Sequence, residues 1–196
     1  MSDPPPQLSR ELLERGVGRV SIADAELHLV VHQLYLSLVL PGGYAAYVAP
    51  DELGRLIEGC RTMLEVVRLS TEVWEAVKSA LAFAATAHRR RNSIIHNAWW
   101  PTEGQGGWTG MIVPWAKAAV GRATNPVLRP GDLEAACEQL IDAKYRIQAV
   151  WWLWLDTSPD AGGSGHRRRP EKHEGWLRIM QGHYREANGF LIIDPE

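Results

Sequence analysis

Two cysteines in 196 residues are too few to staple a small secreted fold together. Cys60 and Cys137 both stand in apolar, helix-like stretches, and no CxxC or Cys/His zinc pattern is present. They read as reduced, buried thiols that act as small hydrophobes. Surplus positive charge is missing as well. Lys and Arg number 21 against 23 Asp and Glu, giving a formal charge of −2 and a pI near 6.4. That balance excludes a general nucleic-acid coat protein and makes any nucleic-acid contact a local one. No apolar run is long enough to cross a bilayer: the most apolar stretch, Ala25 to Val39, is broken by His28, His32 and Gln33. The opening Met1-Ser2-Asp3-Pro4-Pro5-Pro6 lacks the basic-then-apolar layout of a secretory signal. The expected location is cytoplasmic, with no membrane partner. No internal repeat is visible.

Hydrophobic residues make up 45% of the chain, enough for a real core. Leu8 to Val17 predicts a short amphipathic helix ended by Gly16 and Gly18. Ser21 caps a second helix to about Leu40, with Leu27, Val30, Val31, Leu34 and Leu38 at the 3.6-residue period, and Pro41-Gly42-Gly43 stops it. Tyr44 to Ala49 is a loop. Pro50-Asp51-Glu52 opens a third helix whose stripe includes Leu53, Leu56, Ile57, Cys60 and Leu64. Ser70 or Thr71 caps a fourth, running on to His96. The texture then turns to Gly, Pro and Trp, and Trp108 to Val113 predicts a strand in a β-hairpin or ordered loop. Gly131-Asp132 opens a last long helix to about Leu155. Ser158 to Gly165 reads as a flexible linker, His166 to Pro170 as a basic run, and Gly175 to Arg185 as a short helix. Phe190 to Ile193 is an apolar patch able to dock on the body or on a partner. The expected fold is all-α: an up-and-down bundle of four to five helices with a small β-hairpin or ordered loop before the last long helix. The expected organisation is a lead-in and short helix over 1–19, the bundle over 20–156, and a flexible linker and tail over 157–196.

One polar cluster on a helix is dense enough to carry chemistry: His88-Arg89-Arg90-Arg91-Asn92-Ser93-Ile94-Ile95-His96-Asn97. His88, Asn92 and His96 recur every four residues and line one face. Arg91 lies five residues before His96, roughly 140° around an ideal helix. The two meet only if the arginine curls round, the helix end distorts, or a second chain completes the site. Arginine with histidine suits RNA cleavage, because RNA carries its own nucleophile in the 2′-hydroxyl. A neutral imidazole takes that proton and an imidazolium protonates the leaving 5′-oxygen. A guanidinium holds the phosphate and the charge that builds on it. The chemistry needs no metal or cofactor. One histidine is a thin set for both acid and base, so two copies of His96 facing one cleft of a symmetric dimer is the economical arrangement.

Arg91-Asn92-Ser93-Ile94-Ile95-His96-Asn97-Ala98-Trp99-Trp100, followed by Trp108 to Trp115 and the helix from Asp132 to Leu155, resembles the HEPN family (higher eukaryotes and prokaryotes nucleotide-binding domains). The family signature is Arg, a polar residue often Asn, and His four to six positions after the Arg, late in a bundle helix. The resemblance spans about residues 20 to 156. It implies a metal-independent endoribonuclease of the kind found among toxins, phage defence and RNA-targeting CRISPR effectors, working as a homodimer on RNA and sometimes held by an antitoxin or regulatory protein. It implies catalytic roles for Arg91 and His96, with Asn92 orienting the site. His88, Arg89, Arg90 and Asn97 are the expected RNA contacts, and Arg167 to Arg169 a candidate RNA-steering arm. Other family members are catalytically silent and bind nucleotide, RNA or a protein partner, which is the alternative reading here. A further alternative is a histidine metal site using His28, His32 and His96, the first two at a zinc-compatible spacing of four. If the second helix flanks the cleft, Asp24 and Glu26 are placed to modulate the histidine. Trp151, Trp152 and Trp154 diverge on their helix, so at least one must meet the hairpin, the tail or another subunit.

Overall fold

The computed structural model describes residues 8–39, 52–67, 69–101, 108–112, 127–157, 170–187 and 190–193. The loop at Tyr44 to Ala49, the linker at Ser158 to Gly165, the run at Arg167 to Arg169 and Trp115 lie outside them. The described residues form five helices and two small sheets: α1 (Arg10–Val39), α2 (Leu53–Glu65), α3 (Thr71–Ile95), β1 (Asn97–Pro101), β2 (Trp108–Ile112), β3 (Val127–Leu128), α4 (Pro130–Thr157), α5 (Pro170–Gln181), β4 (Tyr184–Ala187) and β5 (Phe190–Ile193). This is the all-α bundle with a small β excursion that the hydrophobic periodicity predicts.

Helix directions follow from which residues meet. Cys137 Sγ lies 3.9 Å from the Arg19 carbonyl, Lys144 Nζ 3.0 Å from Glu26, and Trp154 Nε1 3.1 Å from the Ser37 carbonyl. The near-constant offset makes α1 and α4 parallel. Arg90 reaches Gln139, and the Arg146 guanidinium stacks 4.2 Å over Phe83, so α3 runs antiparallel to α4. Trp152 meets Trp176 at 4.7 Å, and Arg146 meets the Met180 carbonyl, so α5 returns antiparallel to α4. The four longer-range partners α1, α3, α4 and α5 therefore alternate, and α2 covers one end. Fully buried Leu27, Val31, Leu34, Leu56, Leu81, Leu140 and Ile147 fill the space between them.

Two helices were expected before residue 40, yet α1 is continuous through Gly16 and Gly18. The two glycines differ. A Cβ at position 16 would sit 2.6 Å from Leu133 Cδ1 and 3.1 Å from Leu133 Cβ, so Gly16 lets α4 approach closely; nothing lies within 4 Å of a Cβ at position 18. Gly18→Ala should therefore stabilise the fold by about 0.8 kcal/mol through helix propensity. Gly16→Val should cost about 2 kcal/mol by overpacking. Urea unfolding midpoints of the pair check this, and equal effects of the same sign would refute the assignment. The organisational boundary at residue 19 falls inside this helix.

The end of α3 is built by its neighbours. Ser70 caps its start by accepting from the Val73 N–H at 3.4 Å. Trp99 on β1 donates its indole N–H to the Ile94 carbonyl at 2.8 Å, satisfying an end-of-helix acceptor. β1, β2 and β3 form one antiparallel sheet in that order, with Asn97 opposite Ile112 and Trp108 opposite Leu128. Trp108 donates to the Leu8 carbonyl at 2.7 Å, tying the lead-in to this sheet.

The C-terminal segment packs on α3 and α4. Gly182, at φ 85°, ends α5 where a helix to Arg185 was expected. Its N–H bonds the Ile179 carbonyl and the His183 N–H bonds the Arg178 carbonyl, a Schellman stop that only glycine enters without strain. The chain then turns into the β4–β5 hairpin. Trp176 covers Trp152, so the tail takes one of the three divergent tryptophans, and Trp154 is taken by α1. Tyr184 donates to Asp142 Oδ1 at 2.6 Å and Tyr145 to Glu186 at 2.8 Å. Burial, then the bond to Asp142, pushes Tyr184 well above the ordinary tyrosine range; burial, then Glu186, pushes Tyr145 up to about 12. Between the ordinary tyrosine value of about 10 and those raised values, the unfolded chain loses protons that the fold retains, so stability falls as pH rises. Tyr184→Phe should flatten that fall, measured as the change in urea midpoint between about pH 9 and pH 11. An unchanged slope would sink the assignment.

Both cysteines are free and buried, and burial raises the Cys60 thiol to about 12. No helix among the described residues is long and apolar enough to cross a membrane.

Candidate active site at the α1–α3 contact

Among the described residues Asp24 is the one charged residue at a buried position. Val20, Leu27 and Val31 surround it on the inward face of α1, so its carboxylate is carried into the bundle by the same periodicity that makes the core. A carboxylate there requires compensation. His88 and Arg91, one turn apart on α3, provide it. His88 Nδ1 is 3.1 Å from Asp24 Oδ1, and Arg91 Nε is 3.0 Å from Asp24 Oδ2. The side chains of Asp24, His88 and Arg91 are 11%, 15% and 20% exposed. The Arg91 contact is an ion pair by distance alone, since the Nε–H finds no acceptor at a hydrogen-bonding angle.

Asn92 closes the circuit. Its amide nitrogen stands 3.1 Å from His88 Nε2, and its Oδ1 accepts from Arg91 Nη1 at 2.9 Å. With the proton on Nδ1, His88 donates to Asp24 and accepts at Nε2 from Asn92, which in turn accepts from Arg91, so every junction pairs a donor with an acceptor or a cation with an anion. The guanidinium is thus held by a carboxylate on one side and an amide on the other. Asp24→Ala should destabilise the fold by about 3 kcal/mol, the low end for orphaning buried charges because the partners keep some solvent. Asp24→Asn, which keeps the shape, should cost less. Urea unfolding measures both, and a loss no larger than that of a surface substitution would refute the burial argument.

The remaining expected site residues are placed as follows. His96 is the C-cap of α3, at φ −93° and ψ 1°, with its backbone N–H on the Asn92 carbonyl at 3.1 Å and its side chain exposed. Among the described residues no hydrogen bond or ion pair joins its imidazole to Arg91, so one chain does not bring the two expected catalytic groups together. Arg89 is exposed and bonds Thr86 Oγ1 at 2.9 Å. Arg90 lies on the opposite flank, against Gln139 at 3.4 Å and Asp132 at 3.9 Å, which takes it away from the cluster. Asn97 opens β1; its side chain falls outside the described part of the structure. Glu26 pairs with Lys144 and not with a histidine. His28, His32 and His96 do not converge: among the described residues no group of three His, Cys, Asp or Glu side chains could hold a metal ion. That removes the geometric basis for the histidine metal reading.

Asp24 is the residue whose weight the sequence understates. Its signal is a carboxylate at a position where the helical period calls for an apolar side chain. A cavity of about 580 Å³ opens elsewhere, between the ends of α1, α2 and α4 near Tyr35, Met63 and Trp154. Among the described residues its one charged lining residue is Glu58, which is paired with Arg61.

No family model, curated protein or solved structure matches the chain.

Proposed function

We propose that the chain is a metal-independent endoribonuclease of HEPN type, acting on RNA as a symmetric homodimer in the cytoplasm, in a toxin or defence role that an antitoxin or regulatory protein holds in check. The observation that carries this reading is one helix end bearing both an ordered guanidinium, Arg91, and an exposed imidazole, His96, with Asn92 bonded to the arginine. In this scheme one His96 removes the 2′-hydroxyl proton while the His96 of a second copy protonates the leaving 5′-oxygen. Arg91 stabilises the pentacoordinate phosphate between them. The products are a 2′,3′-cyclic phosphate and a 5′-hydroxyl. Support for a second copy comes from α1, where Ile22 and Leu29, two turns apart on one face, are 63% and 58% exposed.

The second reading, a silent module that binds RNA, nucleotide or protein, is favoured by one fact: Asp24 already neutralises Arg91. Incubation of purified protein with RNA in EDTA, beside His96→Ala, separates the two. Cleavage that the variant lacks, with cyclic phosphate ends, supports the enzyme. Intact RNA at high concentrations of folded dimer refutes it.

A further inference from the structure

The circuit Asp24–His88–Asn92–Arg91 is closed only for one protonation state. With His88 neutral, each junction pairs a donor with an acceptor or a cation with an anion. A proton on Nε2 sets an N–H against the Asn92 amide N–H at 3.1 Å. Turning the amide over restores that junction but sets its nitrogen against Arg91 Nη1, 2.9 Å away. Either way one junction breaks, because the single amide oxygen can face His88 or Arg91 but not both, and its nitrogen faces the other donor. At the same time the His88 imidazolium competes with Arg91 for the Asp24 carboxylate, and the cluster's net charge rises from zero to +1.

We infer that Asp24 and His88 are positioning residues that hold Arg91 back while His88 is neutral and hand its guanidinium to a phosphate when His88 takes up a proton. This rests on the ribonuclease reading only in naming a phosphodiester as what Arg91 receives. Among the described residues the groups facing His88 are Asp24 from α1 and Arg91 from its own helix, with His28 one turn beyond Asp24. Arg90, with Asp132 and Gln139 of α4, sits on the other flank of α3, on the side of Phe83 where Arg146 brings in α5. The charged residues Arg55, Glu58, Arg61 and Glu65 of α2 are exposed. The local exchange of partners is therefore set by the four members of the circuit.

Two measurements on the full chain test this. The first is side-chain ¹⁵N NMR of the wild type across about pH 8 to 5.5, the range in which imidazoles titrate. The His88 ring nitrogens, the Asn92 amide and Arg91 Nε should move together with one midpoint. The second is anisotropy with a short 2′-O-methyl oligoribonucleotide, which cannot be cleaved, in a His96→Gln background that removes the other imidazole of the motif. Binding should tighten about tenfold from the high to the low end of the range, the gain of one charge-assisted phosphate contact. The rise should vanish in His88→Gln. Asp24→Asn should bind tightly throughout. An Asn92 amide and Arg91 Nε indifferent to the titration of His88, or a pH rise that survives His88→Gln, overturns the proposal. Coupled resonances without RNA cleavage leave the gate standing and remove the nuclease; cleavage with uncoupled resonances does the reverse.

Discussion

His96→Ala should lower RNA cleavage by about a thousandfold, within the range that a positioned acid–base group contributes. The imidazole at the end of α3 is exposed and has no hydrogen bond or ion pair among the described residues, so it can reach a ribose hydroxyl without first leaving an internal partner. Its loss should leave RNA affinity and folding nearly unchanged, because it is a surface C-cap whose backbone bond to Asn92 any residue can make. Arg91→Ala should cost a comparable 10²- to 10³-fold, the range for removing one donor to a developing oxyanion. It should also destabilise the fold, since Asp24 loses its ion pair. Arg91→Lys keeps the charge but cannot reach Asn92 Oδ1 and Asp24 Oδ2 together, so it should fall between the two. The double variant His96→Ala/Arg91→Ala should be little worse than either single one, as for groups that act as a unit. Initial rates on a labelled RNA, with melting curves for each variant, provide the check. A His96→Ala protein within about threefold of wild type would end the assignment.

Arg146→Ala should release the C-terminal segment at a cost of about 3 kcal/mol, the scale for removing one partner of a desolvated pair. Its side chain is 15% exposed and serves three neighbours at once. Nε and Nη2 bind Asp142 at 2.9 and 2.8 Å, Nη1 reaches the Met180 carbonyl at 3.4 Å, and the guanidinium plane covers Phe83. Its loss uncouples α5 from α3 and α4 and leaves Asp142 with Tyr184 alone. Hydrogen exchange should show faster amide exchange in α5, β4 and β5 with protection at the start of α3 retained. Unchanged protection of α5 would mean that the Trp152–Trp176 contact holds the tail by itself.

Much of the bundle is legible in the chain because burial enforces periodicity. The stripes that begin at Leu53 and Leu133 mark α2 and α4 to within a few residues, whereas the stripe from Leu27 to Leu38 marks only the C-terminal part of α1. The failures are instructive. Glycine reads as a stop, yet Gly16 serves the close approach of Leu133, a tertiary fact with no local trace. Gly182 is a true stop, but its effect depends on a positive φ that the residue type permits without requiring. The motif helix is legible as a polar cluster with the right residues. Which of them touch is not, because the organiser, Asp24, lies 64 residues before His88. Spacing along α3 pairs Asn92 with both histidines, whereas the fold joins it to His88 and Arg91 and turns His96 outward.

The parallel pairing of α1 with α4 also bears on how the polypeptide emerges from the ribosome. Glu26 waits for Lys144, 118 residues downstream. At about 5–20 residues per second that wait is roughly 6–24 s, during which Val20, Leu27, Val31 and Leu34 lack their final cover. Nascent chains that stop short of α4 thus leave this apolar stripe without its cover, although every residue of the site at the end of α3 has by then been made.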